Sequence, residues 1–187
     1  MSLSEDDKQK CEGLITQEEV IQAMKNMVNN KSPGSDGLSV EFYKTFWNII
    51  GKDLIEVYNY SYSNGELAES QKLSLVSLIY KKGDKADLNN WRPISLLNVD
   101  YKILAKVIAN RLRKVISKVC NSGQCGYIPG REIGDAIIFT RDVIEYAKIQ
   151  NKPLIFVSLD QTKAFDKLNR NFLFKVLRKF NFGDQFR

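Results

Sequence analysis

The sequence predicts a mixed α/β (α+β) fold, because helical and strand-like hydrophobic patterns both occur in its 187 residues. Apolar residues recur on one helical face in the N-terminal part and again in the second half. Two short apolar runs separated by a charged loop predict a β-hairpin in the middle. A third run, Leu154–Leu159, predicts a buried strand. A hydrophobic content of 43% is typical of a globular protein.

The N-terminal part predicts three helices. Thr16 and Glu19 match a capping box, and the helix that follows has one apolar face formed by Val20, Ile21, Met24, Met27 and Val28. Residues 39–50 and 53–62 are also predicted to be helical. The turn-forming segment Lys31–Gly37 precedes them, and its amides could bind phosphate, although we favour an ordinary turn.

Leu73–Tyr80 and Trp91–Leu97 predict the two strands of the hairpin. The connecting loop begins with Lys81 and Lys82, and Arg92 lies at the start of the return strand. These cations could close over a triphosphate, since Arg makes bidentate contacts with phosphate and Lys supplies a point charge. A solvated hairpin tip is the alternative.

Basic charge is concentrated in the segment Lys72–Lys118, which has 11 Lys/Arg against three Asp/Glu, whereas the whole chain carries a net charge of +6. A helix is predicted over Tyr101–Val119, and the basic residues Lys102, Lys106 and Arg113 lie mostly off its apolar face. This face could follow a nucleic-acid backbone, or it could be an ordinary solvated surface.

The remaining part predicts an irregular segment and two helices. Three glycines and a proline interrupt Ser122–Arg131. A helix is predicted over Ile133–Gln150, with Ile137, Ile144 and Ala147 facing inward. A last helix begins near Leu168, and its apolar face contains Phe172, Leu173, Val176, Leu177 and Phe180.

Composition excludes several kinds of chemistry. The chain has no His, which removes the usual nucleophile–histidine arrangements and the commonest general base. Its three cysteines form no CxxC pair, and we interpret them as reduced thiols. No apolar run is long enough to span a bilayer, and the polar N-terminus does not resemble a signal peptide. We therefore expect an intracellular protein without membrane partners, in the cytoplasm or the nucleus.

Asp160 directly follows the predicted strand Leu154–Leu159, and Asp166 follows in the next turn. The carboxyl ends of strands in α/β sheets are common ligand sites, and carboxylate oxygens suit Mg²⁺. Capping of the following turn or helix is the alternative role for Asp160.

Four ordered motifs carry a resemblance to a known family: KSPGSDGLSVEFYK, then LIYKKGDKADLNNWRPISLLNVDYKILAKVIANRL, then SGQCGYIPGR, then SLDQTKAFD. From about Lys31 to its last residue, the chain resembles the reverse transcriptase domain of non-LTR (LINE-type) retrotransposons. The resemblance implies a right-hand polymerase fold, of which the chain would form the fingers and the start of the palm.

The resemblance implies a catalytic role for the segment after the predicted strand. Asp160 matches the first catalytic aspartate of a site that binds two Mg²⁺ ions, and Gln161 would offer its backbone carbonyl to one of them. Phe165 matches the position where a bulky ring excludes a ribose 2′-hydroxyl by a steric clash. Asp166 belongs to the same signature, and we expect a local structural role for it.

The resemblance also implies binding residues outside this segment. Lys81 or Lys82, together with Arg92, match the residues that hold the incoming deoxynucleoside triphosphate. The irregular segment that contains Gln124 and Arg131 is similar to one that contacts the template. The partners implied are an RNA template, a DNA primer and dNTP.

The chain departs from the family in one respect, since its 187 residues contain no aromatic-x-Asp-Asp motif with the other two catalytic aspartates. We expect residues 1–70 to form a helical segment, 71–150 the fingers-like hairpin and helices, and 151–187 the start of a palm that is truncated before that motif. The isolated chain should then lack polymerase activity, depend on the remainder of the polymerase and expose an apolar strand edge. A non-catalytic nucleic-acid-binding remnant of a retroelement is the alternative.

Overall fold

The computed structural model describes residues 2–161 and 164–187, and these divide into two compact units. The hairpin unit comprises Glu12–Arg111. The terminal unit comprises the residues up to Cys11 and those from Leu112 onward. Helices and a β-hairpin occur together, which confirms the mixed fold class.

The helices in chain order are α1 (Glu5–Gln9), α2 (Gln17–Lys25), α3 (Val40–Thr45), α4 (Trp47–Asn64), α5 (Glu69–Lys72), α6 (Val99–Arg113), α7 (Ile116–Val119), α8 (Ile133–Ile149) and α9 (Arg170–Lys179). The strands are β1 (Ser74–Tyr80) and β2 (Trp91–Leu97), and a single 3₁₀ turn, Leu88–Asn90, precedes β2. The boundary between the helices predicted over residues 39–50 and 53–62 lies elsewhere. The helix is interrupted at Phe46, and α4 then continues without interruption through residues 51 and 52.

The core of the hairpin unit is built from α2, α3, α4 and α6. The predicted capping box at the start of α2 is confirmed: Thr16 Oγ1 accepts from the Glu19 amide at 3.3 Å, and Glu19 Oε2 accepts from the Thr16 amide at 3.1 Å. The fully buried side chains of this core include Ile15, Val20, Tyr58, Ile103 and Val107. Val28, predicted on the apolar face of α2, is 68% exposed because α2 ends before it.

Arg111 is the buried cation of the hairpin unit, with 3% of its surface exposed. Its guanidinium binds both oxygens of Glu19 at 2.7 Å, and it also donates to the carbonyls of Gly13 and Leu14 at 2.8 and 2.9 Å. The hydrogen bonds to Glu19 raise the pKa of Arg111 above its usual value. Because every interaction is charge-assisted, this cluster ties α6 to the segment that leads into α2.

Strands β1 and β2 pair antiparallel as predicted, in a register that runs from Ser74 opposite Leu97 to Tyr80 opposite Trp91. Most residues of both strands are exposed on both faces of this two-stranded sheet. An isolated two-stranded hairpin is only marginally stable in water, so the conformation of this hairpin depends on the contacts made at its two ends.

The terminal unit has a small core of Leu3, Cys11, Val115, Val119 and Phe182. Asp7 is buried beside it, and its carboxylate accepts from Lys10 Nζ at 2.6 Å and from Lys118 Nζ at 2.6 and 2.7 Å. These hydrogen bonds, from Lys10 first, hold the pKa of Asp7 well below its usual range. Cys11, Cys120 and Cys125 form no disulfide bond with one another, which agrees with the prediction of reduced thiols.

The prediction of a buried strand over Leu154–Leu159 is wrong. The segment has no strand partner among the described residues, and its side chains are exposed, with Ile155 at 87% and Leu159 at 90%. A strand requires a neighbour to accept its backbone hydrogen bonds, so hydrophobicity alone does not create one. The expectation that this apolar segment would be exposed is met, although it is exposed as an unpaired chain and not as the edge of a sheet.

The α8 and α9 faces are also less buried than predicted. In α8 only Ala147 is buried, whereas Ile137 is 63% exposed and Ile144 is 36% exposed. In α9, Phe172 and Leu173 are exposed, and the residues near its end contact the small core. Among the described helices, none is both long enough and apolar enough to cross a bilayer.

Candidate functional site

The loop between β1 and β2 is a folded hairpin tip. The Lys81 amide donates to the Asn90 carbonyl at 2.8 Å, which extends the strand ladder by one pair. Asn90 Nδ2 donates to the Asp84 carbonyl at 2.9 Å, and Trp91 Nε1 donates to the Lys85 carbonyl at 2.9 Å. These contacts restrict the conformations of a loop that has five charged residues, all of them exposed.

Gly83 fits this tip for a steric reason. Its φ of +98° lies in the left-handed region, and a Cβ there would lie 2.7 Å from Asn90 Nδ2. The rings of Tyr80 and Trp91 pack edge to face at 5.5 Å beneath it, and Lys85 Nζ lies 5.5 Å from the Tyr80 ring centre. The packed rings of Tyr80 and Trp91 therefore support the loop that carries the lysines.

Arg92 lies opposite Ile79 in the register, on the face that also carries Ile94. Alternation along β1 continues to Lys81 through its backbone hydrogen bond, so Lys81 belongs to the Arg92 face. Lys82 lies in the bend beyond the strand ladder. Lys81, Lys82 and Arg92 are exposed, and no ion pair within the described part of the chain engages them. The structure thus brings these predicted residues together at one end of the hairpin.

The single helix predicted over Tyr101–Val119 is interrupted, because α6 ends at Arg113 and α7 begins at Ile116. Lys102, Lys106 and Arg113 all lie on α6, in different surroundings. Lys102 is half-buried and its Nζ donates to the Ser32 carbonyl at 3.2 Å, so it holds the turn-rich Lys31–Gly37 loop. Lys106 is half-buried, and Arg113 is exposed at the last position of the helix.

Gln124 and Arg131 contact each other in the irregular segment after α7. The Arg131 guanidinium donates to the carbonyls of Gln124 at 2.8 Å, of Ser117 and Cys120 at 3.1 Å, and of Asn121. Its donors are therefore used to fold the segment around it. Gln124 itself is exposed, and its Nε2 donates to the Gly126 carbonyl at 3.1 Å.

Asp160, Gln161 and Phe165 lie in the terminal unit, in the exposed segment between α8 and α9. Phe165 is 97% exposed. The neighbouring Thr162 and Lys163 lie outside the described residues. Within residues 2–161 and 164–187, no group of three or more acidic, Cys or His side chains is placed to hold a metal ion. A hard carboxylate oxygen suits Mg²⁺, but Asp160 alone does not form a site for it.

Sequence reasoning missed the anchor of the Lys31–Gly37 loop, which is the buried side chain of Asn98. Asn98 Oδ1 accepts from Ser35 Oγ at 3.3 Å and from the Asp36 amide at 3.4 Å, while its Nδ2 donates to the Ser70 carbonyl at 2.9 Å. Gly34 packs directly on Asn98. The sequence signal was a polar Asn directly after an apolar strand. The Asp36 amide of the loop is used by this internal hydrogen bond, as in an ordinary turn.

Comparison with known proteins gives one family and several relatives. Residues 79–186 match the family described as reverse transcriptase (RNA-dependent DNA polymerase). The matched range begins in β1 and includes Lys81, Arg92, the irregular segment and Asp160.

The relatives are proteins of transposable elements. The chain is 42% identical, over 98% of its length, to the "Transposon TX1 uncharacterized 149 kDa protein" of Xenopus laevis, and covers 14% of that protein. It is 27% identical, over 88% of its length, to the "Retrovirus-related Pol polyprotein from type-1 retrotransposable element R2" of Popillia japonica, and covers 22% of it. It is 25% identical, over 88% of its length, to the "Probable RNA-directed DNA polymerase from transposon BS" of Drosophila melanogaster, and covers 18% of it.

Proposed function

The chain belongs to the reverse transcriptase (RNA-dependent DNA polymerase) family, in its non-LTR, LINE-type branch, and we propose that it forms part of an RNA-directed DNA polymerase of a retrotransposon. In that enzyme, deoxynucleotides are added to a primer 3′-hydroxyl by phosphoryl transfer. The substrates are an RNA template, a DNA primer and dNTP. The observation that carries the proposal is the family match over residues 79–186, which contains the hairpin cations and Asp160 in order.

The fold proposed for the whole enzyme is the right-hand polymerase fold. In this assignment, residues 1–70 form a helical segment, 71–150 the fingers-like hairpin and helices, and 151–187 the start of the palm. The β1–β2 hairpin and the mixed helical surroundings support the fingers assignment. The exposed apolar segment before Asp160 supports the palm assignment, because it lacks the strand neighbours that the remainder of the polymerase would provide.

The hairpin tip is proposed to hold the triphosphate of the incoming nucleotide. Lys81 and Arg92 share a face and are exposed, and the base of Tyr80, Trp91 and Asn90 limits their movement. A planar guanidinium can bind two phosphate oxygens while an ammonium neutralises a third. Lys82, which lies in the bend beyond the strand ladder, is the weaker candidate.

Asp160 and Gln161 are proposed as metal-binding residues, and Phe165 as the residue that excludes a ribose 2′-hydroxyl. Reverse transcriptases use divalent metal ions, and the hard oxygens of Asp160 and the Gln161 carbonyl suit two Mg²⁺ ions shared with further carboxylates. When bound, such ions supply charge stabilisation for the transferring phosphoryl group. Since Asp160 alone does not form the site, no catalytic step is assigned to this chain by itself.

RNA-templated primer extension that depends on Asp160 tests the proposed function. A second candidate is a nucleic-acid-binding remnant without turnover. It is favoured because no group of three or more acidic, Cys or His side chains among the described residues is placed to hold a metal ion. Binding of RNA does not separate the two candidates, because both predict it. Extension separates them, since only a polymerase incorporates nucleotides.

A further inference from the structure

The surface of the hairpin unit contains a groove of about 580 Å³ between α4 and the segment that leads into α5. None of the site residues proposed above lines it. Helix α4 forms one side of the groove with Glu56, Val57 and Tyr60, and the opposite side consists of Glu66, Leu67 and Glu69. The groove therefore combines apolar and acidic side chains and contains no cation in its lining.

Both sides of the groove belong to ordered parts of the hairpin unit. Helix α4 ends at Gly65, where a φ of +67° reverses the chain and the Gly65 amide donates to the Ser61 carbonyl. The Glu66 amide donates to the same carbonyl at 3.3 Å. Leu67, which follows, packs against the core. These contacts fix the second side of the groove beside the last two turns of α4.

The apolar part of the groove continues along α4. Tyr60 is 71% exposed and Val57 is also exposed, although both are large side chains. Ile49 lies on the same face of α4 two turns earlier and is 74% exposed. Helical residues spaced in this way form a stripe, and a stripe of exposed apolar side chains suits an elongated partner segment better than a compact ligand.

The charge around the groove is opposite to that of the whole chain. Residues 53–70 contain four Asp/Glu and no Lys or Arg, in a chain with a net charge of +6. The Glu56 carboxylate is exposed and forms no ion pair within the described part of the chain. Glu66 and Glu69 share one cation, Lys72 Nζ, at 3.2 and 2.8 Å. The groove thus keeps a negative charge, which disfavours phosphates and favours a basic partner.

We propose that this groove docks an amphipathic basic helix of a partner protein. The apolar face of that helix packs on Val57, Tyr60 and Leu67, and its Lys or Arg side chains lie beside Glu56 and Glu69. Helix-in-groove recognition combines these two elements, since apolar anchors supply affinity and complementary charges set the orientation. The inference goes beyond the proposed function, because neither the template, the primer nor dNTP occupies the groove.

The test uses a fluorescein-labelled helical peptide of fourteen residues, LKKLLKLLKKLLKL, and measures its binding by fluorescence anisotropy. LEELLELLEELLEL has the same apolar pattern and the opposite charge. Tyr60→Ala removes the aromatic anchor, and Glu56→Gln removes the carboxylate that has no ion pair. The matched controls are Tyr146→Ala and Glu145→Gln in α8, which change an exposed tyrosine and an exposed acid on the large apolar surface of the terminal unit.

Tyr60→Ala should weaken binding of the lysine peptide about tenfold, because truncation of an aromatic anchor removes a large share of a docking interaction. Glu56→Gln should weaken it about two- to fivefold at low salt, and this difference should shrink as salt is added. Tyr146→Ala and Glu145→Gln should bind the lysine peptide as the wild type does. The glutamate peptide should not displace it. Since all four replaced side chains are exposed, the urea unfolding midpoints should stay at the wild-type value.

Equal affinity of Tyr60→Ala and the wild type for the lysine peptide would overturn the inference. A loss in the α8 variants as large as in the groove variants would also overturn it, because the peptide would then bind any exposed apolar helix. Equal binding of the glutamate peptide would remove the charge argument, and self-association abolished by Tyr60→Ala would make a second copy of the chain the occupant. None of these results changes the polymerase proposal, which primer extension through Asp160 tests separately.

Discussion

Replacement of Gly34 by Ala should destabilise the hairpin unit, because the loop that contains it touches the buried Asn98. A Cβ on Gly34 would lie 2.1 Å from Asn98 Oδ1, 2.4 Å from the Asn98 nitrogen and 2.6 Å from the Leu97 carbonyl carbon. Two of these atoms belong to the backbone, so a change of side-chain rotamer cannot remove the clash. The loop must move away, and it then loses the two hydrogen bonds that Asn98 Oδ1 accepts from it.

The expected loss of unfolding free energy is about 2–6 kcal/mol. Overpacking of a close contact costs about 1–3 kcal/mol, and each hydrogen bond lost adds about 0.5–1.5 kcal/mol. Urea unfolding followed by tryptophan fluorescence measures it, since both tryptophans, Trp47 and Trp91, lie in the hairpin unit. With an m-value of about 2 kcal/mol/M, the unfolding midpoint should fall by about 1–3 M.

The matched control is Gly134→Ala in α8, where a Cβ would meet open space. It lies in the terminal unit, and Ala is favoured over Gly by up to about 1 kcal/mol within a helix, so the tryptophan transition should not move to lower urea. A Gly34→Ala midpoint equal to that of the wild type would refute the role of the Gly34–Asn98 contact.

Two further predictions concern charged residues. Asp7→Asn should remove a pH dependence of stability: because the pKa of Asp7 is lowered in the folded state, its contribution is complete above the usual carboxyl pKa of about 4 and is lost as the pH falls below it. Thermal unfolding at pH 7 and pH 3 checks this, and a wild type and variant that lose stability equally between these pH values would contradict it. Arg92→Gln should weaken binding of dTTP about tenfold or more, since hydrogen bonds to charged groups contribute about 1.5–3 kcal/mol. Titration of the fluorescence of the adjacent Trp91 measures the affinity, with Lys52→Gln as the control on an exposed helix face, and equal dTTP affinities of Arg92→Gln and the wild type would argue against the triphosphate site.

Local sequence signals predicted the parts of the fold that local interactions determine. The capping box of Thr16 and Glu19 is formed, because both partners lie within one helical turn. The strands of the hairpin were placed within one residue of their observed start, since the charged loop and the apolar runs define them without other parts of the chain. The resemblance to reverse transcriptases is confirmed by the family match.

Features that depend on distant partners were not predictable from local patterns. Leu154–Leu159 has the composition of a strand, but a strand exists only where another backbone pairs with it. Buried polar residues were missed for the same reason: Arg111 interrupts an apolar helical face, and its partner Glu19 is 92 residues away in sequence. Residues four apart lie on the same face of a helix, so the position of Arg111 four residues after the core residue Val107 was the available sequence signal for a buried ion pair.

The candidate site residues stay predictions, because they rest on motifs and the sequence does not give their arrangement. Motifs predict Lys81, Arg92 and Asp160 as site residues, and the structure adds that Lys81 shares a face with Arg92.

RNA-templated primer extension is the most direct test of the proposed polymerase function. It is measured with the full reading frame that contains this chain, an RNA template, a DNA primer, dNTP and Mg²⁺. Asp160→Asn should reduce extension below detection, because the variant lacks a carboxylate for the metal ions. Asp166→Asn, which changes an exposed acid of the same segment, should retain it. Equal extension by the wild type and Asp160→Asn, or extension by neither the wild type nor Asp166→Asn, would contradict the assignment.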